Sequence, residues 1–337
     1  MNIAVELAKD GQHAFWILGA RMQLTQQRDH GTLTAVSQAD ERIATAARDL
    51  GLLAEALRAL DEDESMLGEM LAAAPLDPLM HRRLAVLHQF RSTVYYDDRY
   101  PNLADPARSL ISAKRYLEVA QEMAKSDPHN ASAKFSQAVA TYRVSFVLRE
   151  FDPNAAIGLA SDSVRMFDEL IASGHASYLN ESRHIQALQR LGEAQLKADR
   201  LTEASRSAEE ALAGQRTIIA KNPAISDERN KLVPLLILAG KIGAASGNDK
   251  LAESRLREAR DEAQRIAKGG ELTSLIPSAH SEEALGDFYA QRGRVDEARA
   301  CYQSLAELWR GFPEGNEYVG RQKASTKSLL ASASTTH

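Results

Sequence analysis

Three glycines at matching points of a repeated pattern constrain the fold more than any other feature of the sequence. They are separated by 48 and 46 residues, and an alanine follows each of them twelve residues later. The glycines are Gly192, Gly240 and Gly286, and the alanines are Ala204, Ala252 and Ala298. A period of this length is typical of proteins that stack one small supersecondary unit.

Each glycine falls inside a stretch whose apolar pattern predicts a helix. Glycine in mid-helix costs about 1 kcal/mol relative to alanine, so a pattern that keeps it needs a compensating contact. A spacing of twelve residues across a turn sets a small residue of one helix against a small residue of the next. Each unit is therefore predicted to be a pair of helices that approach closely at the glycine.

The last unit carries a fuller pattern over residues 282–313, in the stretch that begins "EEALGDFYAQRGRVDEARACYQSL". The order and spacing of its small and apolar residues resemble the tetratricopeptide repeat. These residues are Leu285, Gly286, Tyr289, Gly293, Ala298 and Tyr302. The units at Gly192 and Gly240 place Gln195 and Gly243 where that family usually has an aromatic residue. The resemblance implies an all-α, right-handed α-solenoid, with units longer than the usual repeat of about 34 residues.

In that family the first helices of the pairs line a concave groove, which commonly binds a peptide or a helix of a partner protein. Carrying the groove positions over residue by residue implies a partner-binding set of mixed charge. The set is Gln189, Glu193, Lys197, Ile237, Lys241, Ala244, His280, Glu283, Asp287 and Gln291, with Thr141, Ser145 and Arg149 from a less regular unit at Val144. The alternative is that these side chains are merely solvated.

A second resemblance covers residues 65–313, from "RRLAVLHQF" onward. This region is similar to the repeats found C-terminal to the kinase domain in some bacterial serine/threonine protein kinases. The sequence has no glycine-rich loop after a strand, no "HRD" and no "DFG", so kinase activity is not predicted. The resemblance implies a scaffold and leaves open a regulatory or sensor module of such a kinase system. A peptide sensor coupled to transcription is disfavoured, since no helix-turn-helix is evident.

Apolar residues recur with a period of seven between Val36 and Leu60, which predicts one heptad helix over residues 33–61. We expect this helix to cap its own solenoid, and the alternative is a homodimer formed through it. The stretch "HAFWILGARMQL" predicts an earlier helix with a buried Trp16, and "DEDE" at residues 61–64 predicts a solvated linker.

The predicted organisation has three parts: N-terminal helices in residues 1–64, a repeat array of about five helix pairs in 65–315, and a capping helix with a frayed tail in 316–337. Within the array, a helix is expected to begin near Ser226. Pro234 removes a backbone hydrogen bond there, so it predicts a kink or a delayed start.

Composition excludes several classes of function. The net charge of −5 argues against a nucleic-acid footprint. The longest apolar run, "LVPLLILAG", is far short of the roughly 20 residues that span a bilayer, and no signal peptide is evident. The one cysteine, Cys301, cannot form an internal disulfide. We therefore expect a cytoplasmic protein with a protein or peptide partner, and neither nucleic acid nor membrane as a partner.

No motif predicts catalysis, a metal or a cofactor. "AGKIG" at residues 239–243 lacks the upstream glycine and the following Ser or Thr of a P-loop. None of the nine histidines forms an HExxH, and His184 and His280 are expected at the surface or in the groove. Cys301 is expected to be a packed thiol. The sequence predicts a non-enzymatic protein without a cofactor.

Overall fold

The computed structural model describes residues 30–175, 177–221, 226–267, 271–313 and 315–335. The predicted helix around Trp16 and the last two residues of the predicted tail lie outside the described residues. Over the described ranges the chain forms thirteen α-helices and no strand, and consecutive helices pack in pairs. The predicted all-α solenoid is therefore confirmed. The chain divides into two compact units, one ending at Pro128 and the other beginning at His129.

The first unit contains four described helices, each of which packs on the next. They are α1 (His30–Asp49), α2 (Leu53–Ala73), α3 (Pro78–Tyr95) and α4 (Pro106–Ser126). Asp-Pro dipeptides start the last two, because the aspartate side chain accepts hydrogen bonds from the first backbone N–H groups and proline suits the first helical position. The side chain of Asp77 accepts from Leu79 and Met80 in this way, and that of Asp105 from Arg108.

The prediction of one heptad helix over residues 33–61 is wrong. Helix α1 ends at Asp49 and α2 begins at Leu53, and the two pack against each other. Gly51 lies in the connection with a φ of 76°, a left-handed conformation that ends a helix and that glycine adopts without a steric penalty. A homodimer through a continuous 33–61 helix is therefore not proposed.

The expected linker at residues 61–64 is also wrong, because these residues lie inside α2. The boundary predicted after residue 64 falls inside the same helix. The carboxylates of Asp61 and Glu64 accept hydrogen bonds from Arg91 of α3, with 2.8 Å between Asp61 Oδ1 and Arg91 Nη2. These acidic side chains therefore tie α2 to α3.

The second unit contains nine described helices, which form four successive pairs and one further helix. They are α5 (Ala131–Leu148), α6 (Pro153–Leu170), α7 (Tyr178–Lys197), α8 (Leu201–Lys221), α9 (Ser226–Ala245), α10 (Asp249–Ile266), α11 (Leu272–Gln291), α12 (Val295–Arg310) and α13 (Glu317–Thr335). A π-helical turn, Ile171–His175, follows α6. Helix α13 packs on α12, in the place expected for a capping helix.

Close contacts at the repeat glycines confirm the packing argument. A Cβ atom built on Gly240 would lie 2.6 Å from Cγ of Leu256 and 3.3 Å from the carbonyl oxygen of Ala252. One built on Gly192 would lie 3.2 Å from Cδ2 of Leu238 on α9 and 3.6 Å, an ordinary contact distance, from the carbonyl oxygen of Ala204. The repeat residues Ala204, Ala252, Leu285, Tyr289, Ala298 and Tyr302 are all buried. At Gly240 a small residue therefore lies where the two helices of a pair meet, whereas at Gly192 the tightest neighbour belongs to the next pair.

At Gly286 the close contact is present, but the neighbour differs from the expected one. The three atoms nearest to a Cβ built there all belong to the ring of Tyr302, at 2.5, 2.9 and 3.1 Å. Glycine leaves room for this buried ring, which lies one helical turn beyond Ala298. The large residue of α12, rather than its small one, therefore explains the glycine.

Pro234 does not delay the start of its helix. Helix α9 begins at Ser226, as expected, and continues to Ala245 with Pro234 inside it. The predicted delayed start is therefore wrong. The surrounding residues explain the tolerance, because Val233, Leu235 and Leu236 are buried in the core of the second unit. Tertiary burial stabilises the helix enough to offset one missing backbone hydrogen bond.

Ion pairs connect each helix pair of the second unit to its neighbour. Between α8 and α10, Arg255 pairs with Glu209 at 3.2 Å. Arg294, at the start of α12, donates to Glu253 of α10 at 2.8 Å. Arg292, at the end of α11, pairs with Asp249 of α10 at 2.7 Å. Each of these contacts joins one helix pair to the next.

Candidate protein-binding surface

The first helices of the four pairs in the second unit form a continuous layer. Helix α5 contacts α7, α7 contacts α9, and α9 contacts α11. We call these four helices the inner layer. Residues four apart on one helix lie on the same face, so a series spaced by four can line such a surface.

The predicted residues of α7 are brought together with those of α5. Glu193 accepts hydrogen bonds from Gln189 at 2.8 Å, from Arg190 at 2.9 Å and from Arg149. Lys197 Nζ donates to Glu150 Oε2 at 3.0 Å. The structure thus joins the two helices by a network in which each carboxylate has a cationic partner.

Glu150 was not predicted, and it accepts hydrogen bonds from both Arg149 and Lys197. Burial opposes ionisation of its carboxyl group, but hydrogen bonds and charge from Lys197 and Arg149 lower its pKa below the ordinary value. Glu150 is therefore ionised at neutral pH. The sequence signal was weak, because Glu150 lies in the turn after α5 and not at a repeat position.

Three arginines surround the ring of Phe146, which is 1% exposed. The guanidinium carbons of Arg190, Arg149 and Arg143 lie 4.1, 4.2 and 5.0 Å from the ring centroid. A cation at this distance from an aromatic face is attracted by its quadrupole. Sequence reasoning missed this cluster, although the three-residue spacing of Arg143, Phe146 and Arg149 places them near one another on a helix.

The other predicted residues of the unit at Val144 do not face this network. The hydroxyl of Thr141 donates to the carbonyl of Gln137 at 2.8 Å, within its own helix. The hydroxyl of Ser145 donates to the carbonyl of Ala156 at 2.8 Å, across to α6. Both residues are buried. Ser145 therefore makes the close helix contact in this pair, and Arg149 alone of the predicted three joins the network.

On α9, the predicted residues divide into a buried and an exposed side chain. Ile237 is 9% exposed and packs in the hydrophobic core, so little of it faces a ligand. Lys241 is exposed. The backbone carbonyl of Ala244 accepts a hydrogen bond from Arg292 at 3.0 Å. Of the three predicted residues of α9, Lys241 is therefore the one that is exposed.

On α11, two carboxylates four residues apart make an acidic patch. Asp287 accepts a hydrogen bond from the hydroxyl of Tyr302 at 2.9 Å. Burial raises the pKa of Glu283, and the like charge of Asp287 raises it further, while Lys241 acts in the opposite direction. His280 is half-buried and Gln291 is exposed at the end of the helix. The inner layer thus carries arginines on α5 and α7 and carboxylates on α11.

The groups considered for chemistry are placed as follows. Burial raises the pKa of Cys301 to about 12, with the nearby Glu282 acting in the same direction, so the thiol is a poor nucleophile at neutral pH. His184 lies 3.1 Å from Asp168. Within the described ranges, no three His, Cys, Asp or Glu side chains are grouped to hold a metal ion. Among the same residues, no helix has the length and apolarity needed to cross a bilayer.

Comparison with solved structures found similar folds at low sequence identity. A signal transduction ATPase with numerous domains and a tetratricopeptide repeat sensor, from Pyrococcus horikoshii, gives a TM-score of 0.53 at 13% identity, covering 95% of this chain and 43% of that chain. BtubC from P. vanneervenii gives 0.47 at 17% identity, covering 69% of this chain and 93% of that chain. A thermophilic tetratricopeptide repeat protein of Thermus thermophilus gives 0.37 at 18% identity, covering 68% and 96%.

Comparison of the sequence with protein-family models and with curated proteins gave no match. The structural likeness to the Pyrococcus protein, at 13% identity, bears on the fold alone. Together with the consecutive helix pairs, it gives the chain a helical-repeat fold similar to that of tetratricopeptide arrays.

Proposed function

We propose that this protein is a non-enzymatic scaffold that binds a peptide or a helix of a partner protein along the inner layer of its second unit. The observation that carries the proposal is the series of polar side chains on successive first helices. Lys197 of α7 is 52% exposed, Lys241 of α9 is exposed, and Glu283 and Asp287 follow on α11. Such a series offers many small contacts rather than one reactive group.

The charges along the inner layer also favour one orientation of the bound partner segment. At the α7 and α9 positions Lys197 and Lys241 are exposed, and the buried Arg143 and Arg190 add positive charge behind this end of the layer. Carboxylates predominate at the α11 end. An extended partner segment would therefore place its acidic side chains near α7 and α9 and its basic side chains near α11, because complementary potentials fix the register of a complex.

Charge reversal of the two exposed lysines tests the proposal. A partner is first captured from the source cell with the tagged protein and then titrated by calorimetry. We expect Lys197→Glu with Lys241→Glu to weaken an acidic partner at least about tenfold, or about 1.4 kcal/mol. Lys197→Glu also breaks the ion pair with Glu150, so circular dichroism must first show that the double variant is folded. At Lys241, which is exposed, the change should alter stability by about 0.5 kcal/mol or less.

The control is a double reversal on second helices, Lys221→Glu with Lys250→Glu. Both lysines are exposed, on α8 and α10, and the control changes the net charge by the same amount. Arg255 and Arg299 are less suitable, since each is ion-paired and Arg255 joins neighbouring repeats. Loss of binding in the control, with binding retained in the inner-layer variant, would refute the inner layer as the binding surface.

A second candidate is a regulatory or sensor module of a bacterial serine/threonine kinase system. The resemblance of residues 65–313 to kinase-associated repeats favours it. Here the captured partner would be a kinase, and the added scaffold would change the rate of autophosphorylation. A partner without kinase activity, or an unchanged rate, would remove this candidate and leave the general scaffold proposal in place.

A further inference from the structure

The first unit contains a groove of about 530 Å³ between α2 and α4, with α3 at its floor. We call it the α2–α4 groove. Helix α2 contributes Glu64, Gly68 and Leu71 to its wall, which are spaced by four and three residues and so share one face of the helix. Seven residues of helix extend about 10 Å, so the groove is long enough for two turns of a docked helix.

Gly68 opens the wall of this groove. A Cβ atom built on Gly68 would meet no heavy atom within 4 Å, whereas one built on Gly240 or Gly286 would collide with a neighbouring side chain. Close packing therefore does not require glycine at this position of α2. Its missing side chain leaves space in the groove, at a cost of about 1 kcal/mol in helix propensity.

His88 lies at the floor of the groove with hydrogen-bonding capacity to spare. The residue is 7% exposed, and it makes no hydrogen bond to a described residue. The Oε1 atom of Glu64 is 3.8 Å from its Nε2 atom, beyond hydrogen-bond distance. Burial lowers the pKa of His88, and Arg91 and Arg115 act in the same direction against Glu64, so the ring is neutral at pH 7. A neutral imidazole offers one donor and one acceptor.

The rim combines apolar surface with an excess of carboxylates. Ile111 of α4 is 65% exposed beside the groove. Arg91 already binds Glu64, and Arg115 donates to Glu118 at 2.9 Å. Glu122 is exposed and has no ion pair among the described residues. The groove therefore suits a ligand that brings apolar side chains and a positive charge.

We propose that the α2–α4 groove docks a basic amphipathic helix of a partner protein. Its apolar side chains pack on Ile111 and over the space left by Gly68. A polar group of the helix hydrogen-bonds to His88, and a lysine or arginine pairs with Glu122. This site lies in the first unit and does not depend on binding at the inner layer of the second.

Two fluorescein-labelled synthetic helical peptides with the same leucine pattern test the site. One carries lysines on its polar face, and the other carries glutamates at the same positions. Each is titrated with the full-length protein, and binding is followed by fluorescence anisotropy. We expect the lysine peptide to bind with a Kd of about 100 μM or tighter, and the glutamate peptide to bind at least about tenfold more weakly.

Two variants locate the binding, each with a matched control. Gly68→Leu fills the groove and should weaken the lysine peptide about tenfold or more. Gly158→Leu adds the same side chain to a helix position of the second unit that also has open space, and it should leave the Kd unchanged. Glu122→Lys should weaken the peptide, whereas Glu210→Lys, on exposed α8 surface, should not. Circular dichroism checks that all four variants are folded.

Three results would overturn the proposal. The first is an unchanged Kd for Gly68→Leu, and the second is equal binding of the two peptides. The third is that neither peptide binds to the full-length protein. This result is expected if a second copy or another segment of this chain occupies the groove. Sedimentation of the unliganded protein would then identify a second copy as the occupant.

Discussion

Replacing Gly286 by alanine should destabilise the protein, although alanine is the better helix former. The added Cβ would lie 2.5 Å from Cε1 and 2.9 Å from Cδ1 of Tyr302. Carbon atoms in contact are normally about 3.5–4.0 Å apart, so the ring must move by about 1 Å. Tyr302 is 2% exposed, and its hydroxyl donates to Asp287 at 2.9 Å, so the ring has little room to move without losing that bond.

The change in the free energy of unfolding is the sum of two costs and one gain. Overpacking a well-packed core costs about 1–3 kcal/mol, and weakening a hydrogen bond to a carboxylate costs up to about 1.5–3 kcal/mol more. The gain in helix propensity is about 1 kcal/mol. The costs less the gain run from about 0 to 5 kcal/mol, and we expect Gly286→Ala to lower the free energy of unfolding by about 2–3 kcal/mol, near the middle of that range. At Gly158 no atom opposes the methyl group, so Gly158→Ala should raise it by about 0.5–1 kcal/mol.

Urea denaturation followed by far-ultraviolet circular dichroism measures both changes. The two substitutions are chemically identical, so opposite signs would isolate the contact with the Tyr302 ring. In a Tyr302→Leu background the cost of Gly286→Ala should fall, which a double-mutant cycle measures as a coupling energy. A Gly286→Ala variant as stable as the wild type, or more stable, would refute the contact as the reason for this glycine.

Three further predictions concern an ion pair, the buried thiol and the turn between α1 and α2. A hydrogen bond from Arg294 is the main cause that holds the pKa of Glu253 at about 2, below its usual 4.5. Glu253→Gln should therefore lower the free energy of unfolding at pH 7, and its difference from the wild type should shrink between pH 4.5 and about 2. Because the pKa of Cys301 is raised to about 12, its thiol should react slowly with a disulfide reagent at about pH 8 until urea is added. Gly51→Ala should lower the melting temperature, because φ is 76° at Gly51 and alanine there costs about 1 kcal/mol.

Contacts between the two helices of one pair could be predicted from the sequence, because they depend on residue size at a fixed local spacing. Gly240 and Ala252 show this, since their spacing of twelve residues alone predicted a close approach. Contacts between neighbouring pairs depend on which residues more than 40 positions apart come together. The bond from Arg149 to Glu193 was not predicted for this reason.

The break at Gly51 was hidden by the periodicity on either side of it. Both α1 and α2 bury apolar residues in the same unit, among them Val36 and Leu60. A short connection between two such helices can preserve the spacing of seven, so the pattern does not distinguish one long helix from two packed helices. Gly68 shows a related limit, since like Gly286 it follows a leucine inside a helix, but it faces open space.

The ion pairs between neighbouring helix pairs have a consequence for the order of the repeats. Arg294 forms an ion pair with Glu253, and Arg292 forms one with Asp249, both on α10. By the same spacing from the repeat alanine, the equivalent residues on α8 are Ser205 and Leu201. If α9 and α10 were deleted, both arginines would face residues that carry no charge. The repeats of the second unit are therefore not interchangeable, because each interface depends on the charges of the particular pairs that meet there.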